Sequence, residues 1–367
     1  MSKLAKRLLL GIGLLALGAG IAVWVLLAAS GGESTRPDNA IVRGINYVGV
    51  SVSNLEVATE LYRTAADLQL TEQTSLNGSP LINALSGQKD TRVSTRLMRS
   101  SNAQLRFMQF SEPSAQGKEL GPVPVHGPGI AHVCYQVDEK TESYPRFLEG
   151  GATPIGEREM VSLNPANPVR YAYAHDLDGI MFEVEHVNVS ALDLPEPPAN
   201  QFRIRHVSLA TPNIELAVEF YSVLLQEENP RRAGRLIKLS GDKIDQVSGM
   251  PGSEIEMAWF QVRNLELELI QYHSHATEAP DSPRPLDAPG YNMIAFDVAD
   301  LTAARERLLL AGGQIVHERH TLDDVPTLVG RDLDGNLLVL QSLPASSPLS
   351  AQNFKDNGLQ TPRNTTK

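Results

Sequence analysis

A long internal repeat constrains the fold of this chain more than any other feature of its sequence. The segment INYVGVSVSNLEVATELY at residues 45–62 returns as IRHVSLATPNIELAVEFY at residues 204–221, and Tyr62 corresponds to Tyr221 at an offset of 159 residues. In both copies, alternating apolar residues predict a strand, and apolar residues at helical spacing then predict a helix. The chain is therefore built from repeated strand–helix units.

A second pair of units follows the same plan. The strand-like segment GIAHVCYQV at residues 129–137 returns as GYNMIAFDV at residues 290–298. Each of these units closes on an Asp-Leu-Asp-Gly turn and a further strand, HDLDGIMFEVEHV at 175–187 and RDLDGNLLVLQSL at 331–343. Asp-Gly before an apolar strand is a strong hairpin signal. Four units of strand, helix and further strands therefore run in series, and the predicted fold class is α+β.

The N-terminal segment is different from the rest of the chain. Leu8–Ala29 carries no charge and follows Lys3, Lys6 and Arg7. As a helix, this segment is long enough to cross a bilayer, and the positive flank is expected to stay in the cytoplasm. We predict an uncleaved transmembrane helix, with the catalytic domains outside the cytoplasm (periplasmic in a bacterium). The alternative is a signal peptide cut near Ala28-Ala29-Ser30, which makes the protein a secreted one.

Composition and charge set the class of protein and the domain limits. The net charge of −11 comes with no long Lys/Arg block, so we expect no nucleic-acid partner. Cys134 is the single cysteine, which excludes an intrachain disulfide. Breaks rich in Pro, Gly and Ser divide the chain into an anchor with its linker, two domains of two units each, and a polar tail predicted to be disordered, at residues 1–40, 41–190, 202–343 and 344–367.

This series of units resembles the vicinal oxygen chelate superfamily, which includes glyoxalase I, methylmalonyl-CoA epimerase, extradiol dioxygenases and bleomycin-resistance proteins. The resemblance covers residues 42–343 and depends on the repeated strand starts, the Phe/Leu-Tyr helix signature and the Asp-Leu-Asp-Gly turns. It implies that each unit is a βαβββ module and that the four modules form two glyoxalase-like domains. It also implies that each module can offer one metal ligand from its first strand and one from its last strand.

These ligand positions differ between the inner and outer modules. In modules one to four, the first-strand positions are Tyr47, His132, His206 and Met293, and the last-strand positions are Arg106, Glu183, Glu268 and Val339. Imidazole nitrogen and carboxylate oxygen are ligands that divalent transition-metal ions accept. The predicted metal ligands are therefore His132, Glu183, His206 and Glu268, a set that resembles the one in bacterial glyoxalase I. The predicted cofactor is one divalent ion: Ni, Zn, Fe, Mn or Co.

Two arrangements of the modules are compatible with the sequence. Pairing one with two and three with four leaves two half-sites, whereas pairing two with three and one with four gives one complete site. Strand alternation places His132 on one face with Ile130, Cys134 and Gln136, away from Val133. This pattern favours a polar, concave face for the ligands. The aromatic residues on nearby strands could line a pocket, but the core is favoured for most of them: Tyr171, Tyr173, Trp259 and Tyr272.

The resemblance implies a metal-dependent lyase, isomerase or epimerase that acts on a small 2-oxo or acyl substrate. The ion would bind two substrate oxygens and stabilise an enediolate, while Glu183 or Glu268 would move a proton as the catalytic residue. One alternative is an extradiol-type ring-cleaving dioxygenase, which needs two histidines and one carboxylate on iron. The other is a non-catalytic small-molecule binding protein of the bleomycin-resistance type. The sequence leaves these three functions open.

Overall fold

The computed structural model describes residues 36–165, 168–188, 202–277 and 282–354. The predicted membrane segment Leu8–Ala29 lies outside these ranges. Within them, no helix has both the length and the apolar character that a membrane crossing requires.

Four modules follow one another along the chain, as the repeats predict. Module one comprises β1 (Val42–Ser51), α1 (Leu55–Ala66), β2 (Gln69–Ser75), α2 (Pro80–Ser86), β3 (Val93–Arg99) and β4 (Gln104–Phe110). After α3 (Ala115–Glu119), module two comprises β5 (Gly129–Asp138), α4 (Ser143–Glu149), β6 (Thr153–Pro154), β7 (Val169–His175) and β8 (Met181–Val187).

The second half repeats this order of elements. Module three comprises β9 (Phe202–Ala210), α5 (Ile214–Leu225), β10 (Arg231–Ala233), β11 (Leu239–Ser240), α6 (Asp242–Ser248), β12 (Glu254–Val262) and β13 (Leu265–Tyr272). Module four comprises β14 (Gly290–Val298), α7 (Leu301–Leu310), β15 (Gln314–Leu322), β16 (Val325–Arg331) and β17 (Leu337–Gln341). The predicted α+β class is confirmed.

The sheets join modules that are not consecutive in the chain. Modules one and four form an eight-stranded sheet in the order β15-β16-β17-β14-β1-β4-β3-β2. Modules two and three form a nine-stranded sheet in the order β10-β12-β13-β9-β5-β8-β7-β6, with β11 paired to β12. Each sheet therefore takes one module from residues 41–190 and one from residues 202–343. This is the arrangement that brings the two inner modules together.

The repeated Asn and Tyr residues have the same structural role in both copies. Asn54 and Asn213 cap α1 and α5, since their side chains accept hydrogen bonds from backbone N–H groups of the first helical turn. Tyr62 donates to Asp176 at 2.9 Å, and Tyr221 donates to the matching aspartate of module four at 2.8 Å. Both aspartates belong to the Asp-Leu-Asp-Gly turns. These bonds link module one to module two and module three to module four.

The main hydrophobic core contains side chains from all four modules. Helix α1 contacts α4, and α5 contacts α7. Aromatic rings fill the space between modules one and two, with Tyr62 lying 5.1 Å from Phe107 and 5.5 Å from Phe147 between ring centroids. Consecutive modules thus pack through their helices, while the other face of each sheet is left to form a pocket or a second core.

Part of the segment predicted to be a disordered tail packs on the eight-stranded sheet. Within residues 344–354, Ala351 and Phe354 are buried, and the backbone N–H of Ala351 donates to Asn46 Oδ1 at 2.9 Å. The guanidinium of Arg99 lies 4.5 Å from the ring centroid of Phe354. The rest of the predicted tail, residues 355–367, lies outside the described residues.

Candidate metal centre

The structure brings the four predicted ligands together at the centre of the nine-stranded sheet. The Nε2 atoms of His132 and His206 lie 3.2 Å apart. Glu183 Oε2 lies 3.4 Å from His132 Nε2 and 3.1 Å from His206 Nε2. Glu268 Oε2 lies 3.5 Å and 3.4 Å from the same two atoms. Four donor atoms from two modules therefore converge on one point.

Strand register explains this convergence. Antiparallel β5 and β9 pair Cys134 with His206 and His132 with Ser208. Parallel pairing then places Glu183 beside Cys134 and Glu268 beside Ser208. Because paired residues present their side chains on the same face, all four ligands lie on one face of the sheet.

Alternation along β5 predicted most of this face correctly. Cys134 and Gln136 lie on the ligand face, and Val133 lies in the main core. The prediction for Ile130 is wrong, since it packs in the core with Val133. The register shifts between Ile130 and His132, which indicates one extra residue, and a β-bulge of this kind reverses the alternation.

The donor set fits a divalent transition-metal ion. Ligands about 2.1 Å from an ion are separated by about 3.0 Å in an octahedron and about 3.4 Å in a tetrahedron. The two imidazole Nε2 atoms lie 3.2 Å apart, and each carboxylate Oε2 lies 3.1–3.5 Å from both of them. Suitable donor atoms of three of these residues lie within 4.8 Å of one another: His132, Glu183 and His206. Two imidazoles and two carboxylates also match the ligand preferences of such ions.

Burial makes a cation at this centre favourable. All four side chains are at least nine-tenths buried, and two close carboxylates are costly to bury without a cation. Burial alone raises the pKa of Glu183, but hydrogen bonds and charge from the two histidines outweigh burial and hold its pKa well below the usual range. Burial lowers the pKa of His206, but Glu268 and Glu183 outweigh burial and raise it. Both shifts have the same cause: the carboxylates and imidazoles of this centre favour a positive charge among them, which a bound metal ion would supply.

The corresponding face of the eight-stranded sheet is filled rather than hollow. Tyr47, Met293 and Val339 are buried in one apolar cluster. Arg106 is buried too, and its two Nη atoms bind the carboxylate of Asp323 at 2.7 Å. The loop between β15 and β16 supplies Asp323, so this loop closes the face. The outer modules therefore hold apolar side chains and an internal ion pair where the inner modules hold the predicted ligands.

A cavity of about 180 Å³ lies above the predicted ligands on the nine-stranded sheet. Its walls include the four aromatic residues for most of which the sequence favoured the core: Tyr171, Tyr173, Trp259 and Tyr272. Tyr173, Trp259 and Tyr272 are buried, and Tyr173 and Tyr272 belong to small hydrophobic clusters, so these side chains are part of a core and of the cavity wall at once. The Tyr173 ring lies 5.2 Å from the His132 ring between centroids. Burial raises the pKa of the Tyr173 phenol well above its usual value, which keeps it a hydrogen-bond donor.

Sequence reasoning missed a charged group on the same face. Arg205 precedes His206, so simple alternation would place the two on opposite faces. The register shift between Cys134 and Tyr135 leaves Arg205 as an extra residue, and its side chain contacts Glu185 and Glu266 on the ligand face. A bulge depends on the partner strand, and the sequence carried no signal for it.

Comparisons with known proteins agree with this architecture. The model of the "Glyoxalase/Bleomycin resistance protein/Dioxygenase superfamily" matches residues 203–340. The ethylmalonyl-CoA/methylmalonyl-CoA epimerase of Cereibacter sphaeroides is 24% identical over 145 residues, which are 39% of this chain and 97% of that protein. Glyoxalase I from Zea mays has a similar fold, with a TM-score of 0.56 and 17% identity over 82% of this chain and 92% of that chain.

Proposed function

The chain belongs to the vicinal oxygen chelate superfamily, and from its buried centre we propose that it is a metal-dependent lyase, isomerase or epimerase acting on a small 2-oxo or acyl substrate. The observation that carries this proposal is that two carboxylates each lie 3.1–3.5 Å from both of two neighbouring imidazoles on one sheet face. The filled face of the outer modules supports a single centre per chain.

We propose that His132, Glu183, His206 and Glu268 hold one divalent ion. Bound there, the ion supplies Lewis-acid chemistry to two oxygens of the substrate. The donor types restrict the ion to one of Ni, Zn, Fe, Mn and Co.

Of the two carboxylates, we assign the proton transfer to Glu268. Glu268 is the predicted ligand outside the group His132, Glu183 and His206, whose donor atoms all lie within 4.8 Å of one another. A carboxylate that is held less tightly can move toward a substrate carbon, take its proton and return the proton to the neighbouring carbon or the opposite face.

The cavity walls support a small substrate. A volume of about 180 Å³ is below the roughly 300–1,000 Å³ that is typical of ligand pockets. Tyr173 and Tyr272 lie on the wall near the two glutamates and are hydrogen-bonded to each other, so this pair has one phenolic proton left to donate to a substrate oxygen. The remaining wall is mostly apolar and limits the access of water to the proton in transfer.

Deuterium exchange tests this proposal. Metal-loaded protein in D₂O is expected to exchange the C2 proton of methylmalonyl-CoA or the C3 protons of 2-oxobutanoate, as followed by NMR. Glu268→Gln is expected to slow exchange by about 10²–10⁴-fold, the usual size of a general-base effect, while the protein still holds its ion. Glu183→Gln is expected to weaken binding of the ion by up to about 100-fold, because it removes a carboxylate from the group His132, Glu183 and His206.

Glu318→Gln is the matched control, because Glu318 is a partly exposed glutamate of module four. It is expected to leave both exchange and metal content unchanged. Absence of bound divalent ion in protein purified without chelators would contradict the proposal, and so would exchange that survives Glu268→Gln.

A dioxygenase is the second candidate, because His132, Glu183 and His206 alone form a two-histidine, one-carboxylate set. Glu268 argues against it, since its Oε2 lies within 3.5 Å of both imidazoles and would take a position that oxygen or catechol needs. Oxygen consumption by iron-loaded protein with catechol would favour the dioxygenase over the proton-transfer enzyme.

A further inference from the structure

A second layer of charged side chains lies beside the metal centre on the same sheet face. Arg205 contacts Glu185 and donates from Nε to Glu266 Oε2 at 3.1 Å. Arg231 Nη2 donates to both oxygens of Glu266, at 3.0 and 3.3 Å. Strand register places Glu266 directly beside His206, so this layer is next to the predicted ligands. The proposed proton transfer uses none of these residues.

Arg231 is the member of this layer that a ligand can reach. It lines the cavity, and 39% of its side chain is exposed. Its guanidinium lies 3.9 Å from the ring centroid of Trp259, so the ring and Glu266 together fix its orientation. Within the described part of the chain, only Nη2 of Arg231 makes hydrogen bonds, which leaves Nε and Nη1 able to donate to a ligand.

The layer carries one more positive charge than negative charge. Its cations are Arg203, Arg205 and Arg231, and its anions are Glu185 and Glu266. Arg203 is buried and forms no ion pair among the described residues, although burial and the nearby Arg205 lower its pKa only to about 10. A buried surplus charge is unfavourable without a counter-ion. Arg205 and Arg231 line the cavity and Arg203 does not, so a single carboxylate in the cavity would lie beside the cations of this layer that a ligand can approach.

We infer that Arg231 forms a subsite for a carboxylate at the end of the substrate remote from the ion. This inference depends on the proposed function, because the other end of the substrate binds at the metal centre. Register pairs Arg231 with Trp259 and Trp259 with Glu268, so Arg231 lies two strands from a predicted ligand, roughly 10 Å between backbones. The planar guanidinium edge matches two carboxylate oxygens. The preferred substrates are thus 2-oxo or acyl compounds with a second, distal carboxylate.

Two probes of equal length test this subsite. 2-Oxoadipate and 2-oxohexanoate share a metal-binding end and differ in a distal carboxylate or methyl group. Calorimetric titration of the zinc-loaded full chain is expected to show that 2-oxoadipate binds about 10- to 100-fold more tightly, as one charged hydrogen-bonded pair provides. Arg231→Gln is expected to remove this preference and leave the affinity for 2-oxohexanoate unchanged. Arg231→Lys, which keeps the charge without the planar edge, is expected to retain part of it.

Arg235→Gln is the matched control, since Arg235 is an exposed arginine four residues farther along the same segment. It should keep the full preference for 2-oxoadipate. Equal affinity for the two probes in the unmodified protein, no binding of 2-oxoadipate, or a preference that survives Arg231→Gln would overturn the subsite. Binding of 2-oxohexanoate that persists after treatment with EDTA would instead contradict the proposed function, because that probe reports only on the metal end.

Discussion

Replacing either histidine of the centre should remove most of the stabilisation that a divalent ion gives the protein. Structural zinc sites with four ligands bind with about 10–16 kcal/mol, so one ligand in four accounts for roughly 3 kcal/mol, or about 100-fold in Kd. At a metal concentration of 100 times Kd, the unmodified protein gains about 2.7 kcal/mol of unfolding free energy. At the same concentration, His132→Ala or His206→Ala should gain only about 0.4 kcal/mol.

The assay is urea unfolding of each variant with and without the ion, together with metal analysis of the protein. Comparing each variant with itself removes any effect of the substitution on the metal-free protein. The matched controls are Tyr47→Phe and Met293→Leu, at the equivalent buried first-strand positions of the outer modules. Both controls should keep the full metal-induced stabilisation. The reasoning is refuted if either control loses it, if only one histidine variant loses it, or if the protein binds two ions per chain.

Three further predictions concern other parts of the molecule. Asp323→Ala should lower the unfolding free energy by about 3–5 kcal/mol, because it leaves the buried Arg106 charge unpaired. The double variant Arg106→Met/Asp323→Ala should recover most of this loss, and urea unfolding measures both effects. Burial and the charge of Arg170 lower the pKa of His186 to about 4 in the folded protein. As the pH falls, this histidine therefore takes up a proton in the unfolded chain before it does so in the folded protein. About 2 kcal/mol of unfolding free energy should be lost between pH 7 and pH 5 as a result. His186→Gln should flatten this pH dependence in EDTA, and an unchanged slope would contradict it. Leu8–Ala29 should keep the full chain in the membrane fraction of cells, and a protease added outside the cytoplasmic membrane should cleave its domains. A chain beginning at residue 41 should be absent from the membrane fraction.

Patterns confined to one strand or turn could be predicted from the sequence. Asn54 and Tyr62 recur in the second repeat because both copies need the same helix cap and the same bond to a closing turn. The α+β class and the four modules follow from such local patterns. The two histidines and two glutamates were selected by their place in the repeat, and the structure adds that their donor atoms meet.

Features that depend on a partner strand could not be predicted in this way. Alternation alone would place Ile130 on the ligand face and Arg205 on the other face. In the structure Ile130 packs in the core and Arg205 lies on the ligand face, because each is next to a register shift between β5 and β9. Trp259 is buried, as its apolar ring predicts, and it also lines the cavity, where Arg231 and Glu268 lie beside it on neighbouring strands. Glu268 lies on the next strand of the same hairpin, whereas Arg231 lies on a strand separated from Trp259 by β11 and α6, so only strand pairing brings all three together.

By itself, the sequence determined which residues can act as ligands, because residue type and strand position are local properties. It also determined that only the two inner modules carry them. Tertiary structure alone decided that β5 pairs with β9 and β1 with β14, so that four ligands share one centre and the outer face closes around Arg106 and Asp323. The physical reason is that strand pairing across long stretches of chain depends on how whole modules bury their helices and sheets together, and no short segment encodes that choice.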